Sequence, residues 1–539
     1  MHRLTGWSIF RISFAALAAL ILLVVSQSTG SVSAATPGYA DPGGTCAGLT
    51  PCHTTIQDAV SDAGPGASDV FVFPGTYDET VDISATPASS ISLATVDATG
   101  SPMPGTVTIA PGTGRAINTT GLYGGDVTLN GFTVASPDND GIHLDAMNVT
   151  LANLTASNNG DNGIFVNANG SIAVSDSTAN DSGGGADPGF ELIATVDVTV
   201  TNSIANGNSH GFDIEAPGDV NVTNTTSNDN AGEGFEIDTG GDARLERVTA
   251  NGNGDDGVDI ECFELEGCED RVDSAIVLDS IFMGNGSSGV DFDGDGDHHE
   301  PGGFYAVQQS IICQNTTAGF SQNSDIVTFA GANWWGHASG PEHPNNATPG
   351  TGDKVLDGAN PTDDDGQGLT AGTAHFGVWV AAIVAEGGAA TQGQPTVVRF
   401  GFPHGANGFN EGPGDPNGAP TFTASTDNGV VTTSGFVSSV PPEGFFRLEV
   451  TLIPENAGTA TVTVTGPCGL DDTLAGNNVV LNVAAAPVEP TAPPAELPAS
   501  GGAASDGGSG SLPWLAALAG IVGASLVAGG WYARRRWLR

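Results

Sequence analysis

Positive charge is what this chain most lacks. Only 13 Lys and Arg stand against 61 Asp and Glu over 539 residues, a formal net charge of −48. Such a surface repels phosphate backbones and anionic membranes, which excludes nucleic acid as a partner and favours cations, neutral glycans or basic partners. Methionine (4) and histidine (10) are sparse, which argues against a soft-metal role such as cofactor maturation. Cysteine is scarce as well, at 6 residues. Cys46 with Cys52 and Cys262 with Cys268 are close in sequence and read as small-loop disulfides of an oxidising compartment, whereas a five-residue gap does not suit zinc ligation. Cys313 and Cys468 remain unassigned, without a nucleophile context.

Long hydrophobic runs are missing except at the two ends. Residues 1–34 have the parts of a secretory signal: Arg3 and Arg11, an apolar stretch from Ile12 to Val25, and the small residues Val32, Ser33 and Ala34 before the cleavage point. A Pro/Gly/Ser-rich linker (487–511) leads to a mostly apolar stretch, 512–533, long enough to span a bilayer, and a basic tail, 534–539, with Arg534, Arg535 and Arg536 on the expected cytoplasmic side. Leu497-Pro498-Ala499-Ser500-Gly501 in the linker resembles a sortase sorting signal, with serine where threonine is usual. A covalent wall linkage and a simple stop-transfer anchor both remain open. The expectation is an exported, single-pass protein of the cell membrane or cell surface with its bulk outside.

What the chain does have is a returning phrase, glycine followed by alternating apolar and polar residues. It reads Gly141-Ile-His-Leu-Asp145, Gly163-Ile-Phe-Val-Asn167, Gly189-Phe-Glu-Leu-Ile193, Gly211-Phe-Asp-Ile-Glu215, Gly234-Phe-Glu-Ile-Asp238, Gly257-Val-Asp-Ile-Glu261 and Gly289-Val-Asp-Phe-Asp293. The glycines lie 22 to 32 residues apart, the length of one solenoid coil with insertions. A period of two is strand, not helix. A second apolar pattern follows, as at Val127/Leu129/Phe132, Val149/Leu151/Leu154, Ala243/Leu245/Val248 and Ile276/Leu278/Ile281. Then comes an asparagine turn: Asn158, Asn180, Asn206, Asn228, Asn251, Asn285 and Asn315. Units of two or three short strands cannot bury an apolar face alone, but stacked copies share a continuous core. The fold expected is all-β, a parallel β-helix.

The chain resembles the right-handed parallel β-helix family, the pectin-lyase-like solenoids, over roughly Thr36 to Val384. The opening Cys52-His-Thr-Thr-Ile-Gln-Asp-Ala-Val60 with Asp69-Val-Phe-Val-Phe-Pro-Gly-Thr-Tyr77 is similar to that family's first coil. Asn333-Trp334-Trp335-Gly336 with Ser339-Gly-Pro341 is similar to its last. An open solenoid end exposes strand edges and core, so an amphipathic helix (Ile56, Ala59, Val60, Ala63) and a pair of indoles are suitable plugs. The solenoid is placed at 35–384. Residues 385–486 change to strand-like runs with turn signals such as Asn428-Gly429, suggesting an immunoglobulin-like β-sandwich that spaces the solenoid from the envelope.

With the apolar residues inside, Glu191, Asp213, Glu236, Asp259 and Asp291 form one outward row. Asp145, Asn167, Glu215, Asp238, Glu261 and Asp293 form a second. Parallel strands are about 4.8 Å apart, where two charges repel by about 1 kcal/mol in water and about 3 to 4 kcal/mol at an effective dielectric of about 20. Such repulsion raises carboxylate pKa values or is relieved by cations, and calcium suits a row of oxygens. Asp291, Asp293 and Asp295 with Gly296 match the first half of an EF-hand or dockerin calcium loop, but the twelfth position is Gly302 instead of glutamate; Asp293, Asp295 and Asp297 still place three carboxylates on a glycine-loosened loop, with Glu300 beyond, as a calcium site. Asp363-Asp-Asp365-Gly366 is a weaker candidate.

Two classes of function follow. One is a structural or binding protein, adhesin-like or glycan-binding, with glycans and cell-surface components as partners. The other, which the resemblance also implies, is a polysaccharide-active hydrolase or lyase, with Asp213, Glu236, Asp259 and Glu261 as acid/base candidates. Adjacent or alternate rungs would place carboxylates about 5 or 10 Å apart, bracketing the separations of retaining and inverting glycosidases. A ladder supplies such pairs automatically, however. A uniform exposed row lacks the contrasting environments that acid/base work needs. A lyase would want a basic residue on these rungs, and His143 and His210 read as single and unpaired. The architecture therefore favours binding.

Overall fold

The computed structural model describes residues 37–183, 187–262, 272–292, 303–322, 327–331, 333–337, 339–344, 350–357, 373–375, 384–401, 423–437, 447–465, 468 and 478–486. Among them the chain is all-β apart from short helical turns, and coils into long parallel sheets. The signal region, Cys268, Asp293, Asp295, Asp297, Glu300, Asp363 to Gly366, the Leu497, Pro498, Ser500, Gly501 motif and the apolar stretch 512–533 lie outside the described residues. No helix among those described is long and apolar enough to cross a membrane.

Each returning phrase is a strand of one 12-stranded sheet, which runs from Val81–Asp82 to Pro341–Glu342 and is called the carboxylate sheet below. The second apolar pattern divides between two others. Its first part lies in a 14-stranded facing sheet (Val127–Asn130, Val149–Ala152, Ile172–Ser175 and onward). Its last part lies in short strands such as Phe132–Val134 and Ile281–Met283, with single bridges from Thr155 through Thr178, Ile204 and Thr226 to Thr249 carrying the third ladder between them.

Stacking explains the repeated glycine. At Gly163, Gly189, Gly211, Gly234, Gly257 and Gly289 an added Cβ would lie 2.5 to 2.9 Å from the glycine carbonyl oxygen of the next rung. A side chain there would push the coils apart. The inward positions form columns of like residues, as in the ring stack Phe190–Phe212–Phe235 with centroids 4.7 and 5.1 Å apart. At one corner Asn153, Asp176, Asn202, Asn224, Arg247, Asp279 and Gln309 all adopt φ between 51 and 58°. Asn and Asp enter this left-handed region more readily than most residues, which accounts for their prevalence there.

The asparagine turn resolves into two hydrogen-bonded ladders. In the buried one, backbone N–H groups of Asn208, Asn230, Asn253 and Asn285 donate to the side-chain oxygens of Asn230, Asn253, Asn285 and Asn315 at 2.9 to 3.1 Å, and the N–H of Asn315 donates to Asp353 at 3.0 Å. In the outer one, the N–H groups of Asn206, Asn228, Asn251 and Met283 donate to Asn180, Asn206, Asn228 and Asn251 at 2.8 to 2.9 Å. Asn285 and Asn315 therefore belong to a different ladder from Asn206. Buried turn amides are satisfied from rung to rung, a requirement that otherwise makes buried loops costly.

The helix Ile56–Ser61 buries Ile56, Ala59 and Val60 against the first coil. Thr55 caps it, and the Glu79 carboxylate accepts from the N–H groups of Ile56 and Gln57 at 2.7 and 3.0 Å. The two indoles divide their work. Trp335 joins the solenoid core, whereas Trp334 belongs to a second cluster with Val398, Phe400, Val450, Leu452, Val462 and Leu481. Those residues come from two four-stranded, mostly antiparallel sheets that follow the solenoid. Ile281, Ile311 and Cys313 of the solenoid's third face share this cluster. A disulfide from Cys313 to Cys468, which the sequence left unassigned, crosses 155 residues to fasten the same contact. The second module is thus packed on the solenoid's flank. Cys46 and Cys52 are joined as expected, and Cys262 is disulfide-bonded.

Candidate functional site

Strand pairing puts the two acid rows in register. Glu191 pairs with Asp213, Asp213 with Glu236, Glu236 with Asp259 and Asp259 with Asp291. In the second row Glu215 pairs with Asp238 and Asp238 with Glu261. The apolar residues between them are buried, so both rows face outward.

The outward row is not uniform and exposed, contrary to expectation. Its carboxylates are half-buried, and Asp291 is only 5% exposed. Burial first, then the Glu236, Glu215 and Glu191 carboxylates, push Asp213 up to about 7, with His210 acting in the opposite direction. Burial, followed by Glu261, Glu236, Glu215 and Asp213, pushes Asp238 up to about 8. Glu215 is raised by burial and then by Glu236. Glu191 is raised by burial, although a hydrogen bond from Asn162 works against the shift. Packing carboxylates along rungs makes each one part of its neighbours' low-dielectric cover, which is why burial precedes charge repulsion among the causes.

On two rungs the residue just before the glycine relieves an acid of the row. Asn162 donates its side-chain amide to Glu191, one rung on, at 2.7 Å. His210 Nδ1 lies 2.7 Å from Glu236 Oε2, again one rung on. The rung between them carries Pro188 in this place, which offers no side-chain donor. Asp213, the acid it would reach, has no hydrogen-bond donor among the described residues. His210 also faces Glu233 Oε2 at 3.3 Å, and its pKa is raised, first by the bond to Glu236. His143, read from the sequence as unpaired, meets Asp140 at 2.9 Å and Asp145 at 3.6 Å, and Arg115 reaches the same Asp140 oxygen at 2.9 Å.

The same outward row continues past the acids. Glu191 pairs with Phe165, and Phe165 with His143, whose ring stacks on it at 4.3 Å and 11°. An aromatic pair therefore precedes the carboxylates on one face. Sequence reasoning found the acids from the period of two but missed this pair and the pre-glycine column. Both were visible as positions in the repeat, since Phe165 and His143 occupy the place of Glu191.

Asp213, Glu236 and Asp259 thus share one row, Glu261 stands in the neighbouring one, and Asp291 ends the first. Asp293, Asp295, Asp297 and Glu300 cannot be placed with them. Among known families, the model for the right handed beta helix region matches residues 116–265, the stretch that carries the aromatic pair and the acids from Glu191 to Glu261. No curated protein matches the chain.

Proposed function

Because the chain is a right-handed parallel β-helix repeat protein, we propose that it is an exported surface protein whose carboxylate sheet binds glycans with the help of calcium. The fold by itself does not decide this, since such scaffolds carry many activities. What supports it is one continuous outward row, in which the stacked His143/Phe165 pair leads into Glu191, Asp213, Glu236, Asp259 and Asp291. Aromatic rings offer an apolar face to the C–H face of a sugar ring. Carboxylates accept from sugar hydroxyls, and calcium accepts oxygens from both sides at once. Export, anchoring at 512–533 and a calcium loop from Asp291 to Asp297 with Glu300 belong to the same reading. A panel of neutral and acidic polysaccharides, with and without calcium, tests it. Calcium-dependent retention that is lost in Phe165→Ala supports the proposal, and no retention by any glycan removes it.

A second reading, polysaccharide hydrolysis, is favoured by one observation. Asp213 is held protonated toward neutral pH while Glu236, one rung away, is paired with His210. An acid beside a charge-paired carboxylate about 5 Å away is the arrangement of a retaining glycosidase. Release of reducing ends that stops in Asp213→Asn would establish it, and binding without turnover would leave the first reading standing.

A further inference from the structure

We propose that His210, Glu233 and Glu236 form a site for one divalent cation of the zinc class, bound through His210 Nδ1 and one oxygen of each carboxylate. The repeat builds this site. His210 and Glu233 occupy the same place, just before the glycine, on consecutive rungs, and Glu236 is the first outward residue of the second rung. The three donor atoms all lie within 4.8 Å of one another, with Nδ1 at 2.7 Å from Glu236 Oε2 and 3.3 Å from Glu233 Oε2. Donors about 2.1 Å from a tetrahedral ion are roughly 3.4 Å apart, so small side-chain rotations admit the cation.

Two further observations point to a ligand. Glu233 Oε2 is buried and accepts no hydrogen bond among the described residues, its close polar neighbour there being His210 Nδ1 at 3.3 Å, so a cation between the two would supply the partner that a buried carboxylate oxygen ordinarily has. The imidazole is also held in place. A Cβ at Gly232 would lie 2.7 Å from His210 Cδ2 and Nε2, so the backbone abuts that edge of the ring while Nδ1 faces the carboxylates. The His210 and Glu236 side chains are each 35% exposed, which leaves an approach for the ion and an open coordination position. One nitrogen and two carboxylate donors suit zinc, cobalt or nickel, whereas calcium takes six to eight oxygens. The site does not rest on the glycan reading, and a different metal reports on it.

Cobalt(II) is the probe, titrated into the full-length protein in a His298→Ala/His299→Ala background so that these two histidines, consecutive in sequence, do not contribute. The expected result is a stoichiometric visible absorption band that zinc abolishes and millimolar calcium does not. Glu233→Gln, which keeps the shape of the side chain, and His210→Ala should each weaken binding by about 10–100-fold or more. Gly232→Ala, which removes no ligand but presses on the ring, should weaken it as well. Unchanged circular dichroism in Glu233→Gln keeps the comparison meaningful if His210→Ala misfolds. Absence of the band, or equal affinity in the parent and Glu233→Gln, overturns the proposal.

Discussion

The carboxylate sheet and the 14-stranded sheet that faces it share one core and one coil geometry, yet they arrange their outward residues differently. On the facing sheet one outward row runs Thr150, Ala173, Thr199, Asn221, Arg244, Ile276, without a carboxylate, and the outward acids Asp69, Asp242 and Glu246 of its strands pair with Ser92, with Ser274, and with Thr223 and Leu278. At the corresponding stage the carboxylate sheet shows Glu191, Asp213, Glu236 and Asp259. Inward residues are buried in both, so folding makes the same demand of each sheet. The acids are therefore not a requirement of the solenoid. Carboxylates paired with carboxylates along consecutive strands are a cost that the carboxylate sheet carries, which is the physical reason to look for function there.

The largest effect should come from what the sheets share. Phe212→Ala interrupts the ring stack and should destabilise the protein by about 3–5 kcal/mol, read by chemical denaturation. Thr199→Ala, outward on the facing sheet, should change little.

Exchanging the outward chemistry comes next. Asp238→Asn removes a carboxylate that burial, followed by its charged neighbours, pushes up to about 8, so in chelator at pH 8 it should raise the melting temperature. Thr199→Asp with Asn221→Asp places two acids on adjacent rungs of the facing sheet and should lower it. If both sheets accept acids equally well, the contrast loses its meaning.

The pH dependence follows from the same groups. Asp213 and Asp238 bind protons more tightly in the folded than in the unfolded chain, so the folded state holds more protons between their ordinary pKa of 3.8 and about 7 and 8. The contribution of these two groups to stability is complete below that window and is lost as pH rises through it. In the absence of divalent cations, melting temperature should fall by several degrees from pH 5 to pH 8, and bound calcium should flatten the slope.

The smallest effect sharpens the pre-glycine rule. Pro188→Asn supplies the donor that Asn162 gives to Glu191, so Asp213 should titrate at lower pH in carbon-detected NMR, with stability almost unchanged. An unmoved Asp213 would show that the column does not tune the row.

The alternation after each glycine was enough to read the strands, the buried columns and the acid register, because period and repeat length alone decide which side chains superpose. Other features depend on contacts that no local pattern encodes. Cys313 and Cys468 are 155 residues apart and meet only because the second module lies on the solenoid's flank. Trp334 and Trp335 look alike in sequence but face different clusters, as neighbours in an extended segment do. His210 looked solitary because its partners Glu233 and Glu236 approach only when one coil settles on the next. The half-burial of the acids has the same origin, since neighbouring rungs cover what a single strand would expose.

The central claim, that the in-register carboxylates hold cations, is tested most directly by calorimetric titration of calcium into the full-length protein and into Asp213→Asn/Asp259→Asn. Both residues belong to the outward row and neither is a ligand of the proposed His210 site. The account predicts calcium binding and a rise in melting temperature for the parent, both clearly reduced in the double variant. Calcium binding and thermal shift that are identical in the two proteins, or missing from both, would contradict it.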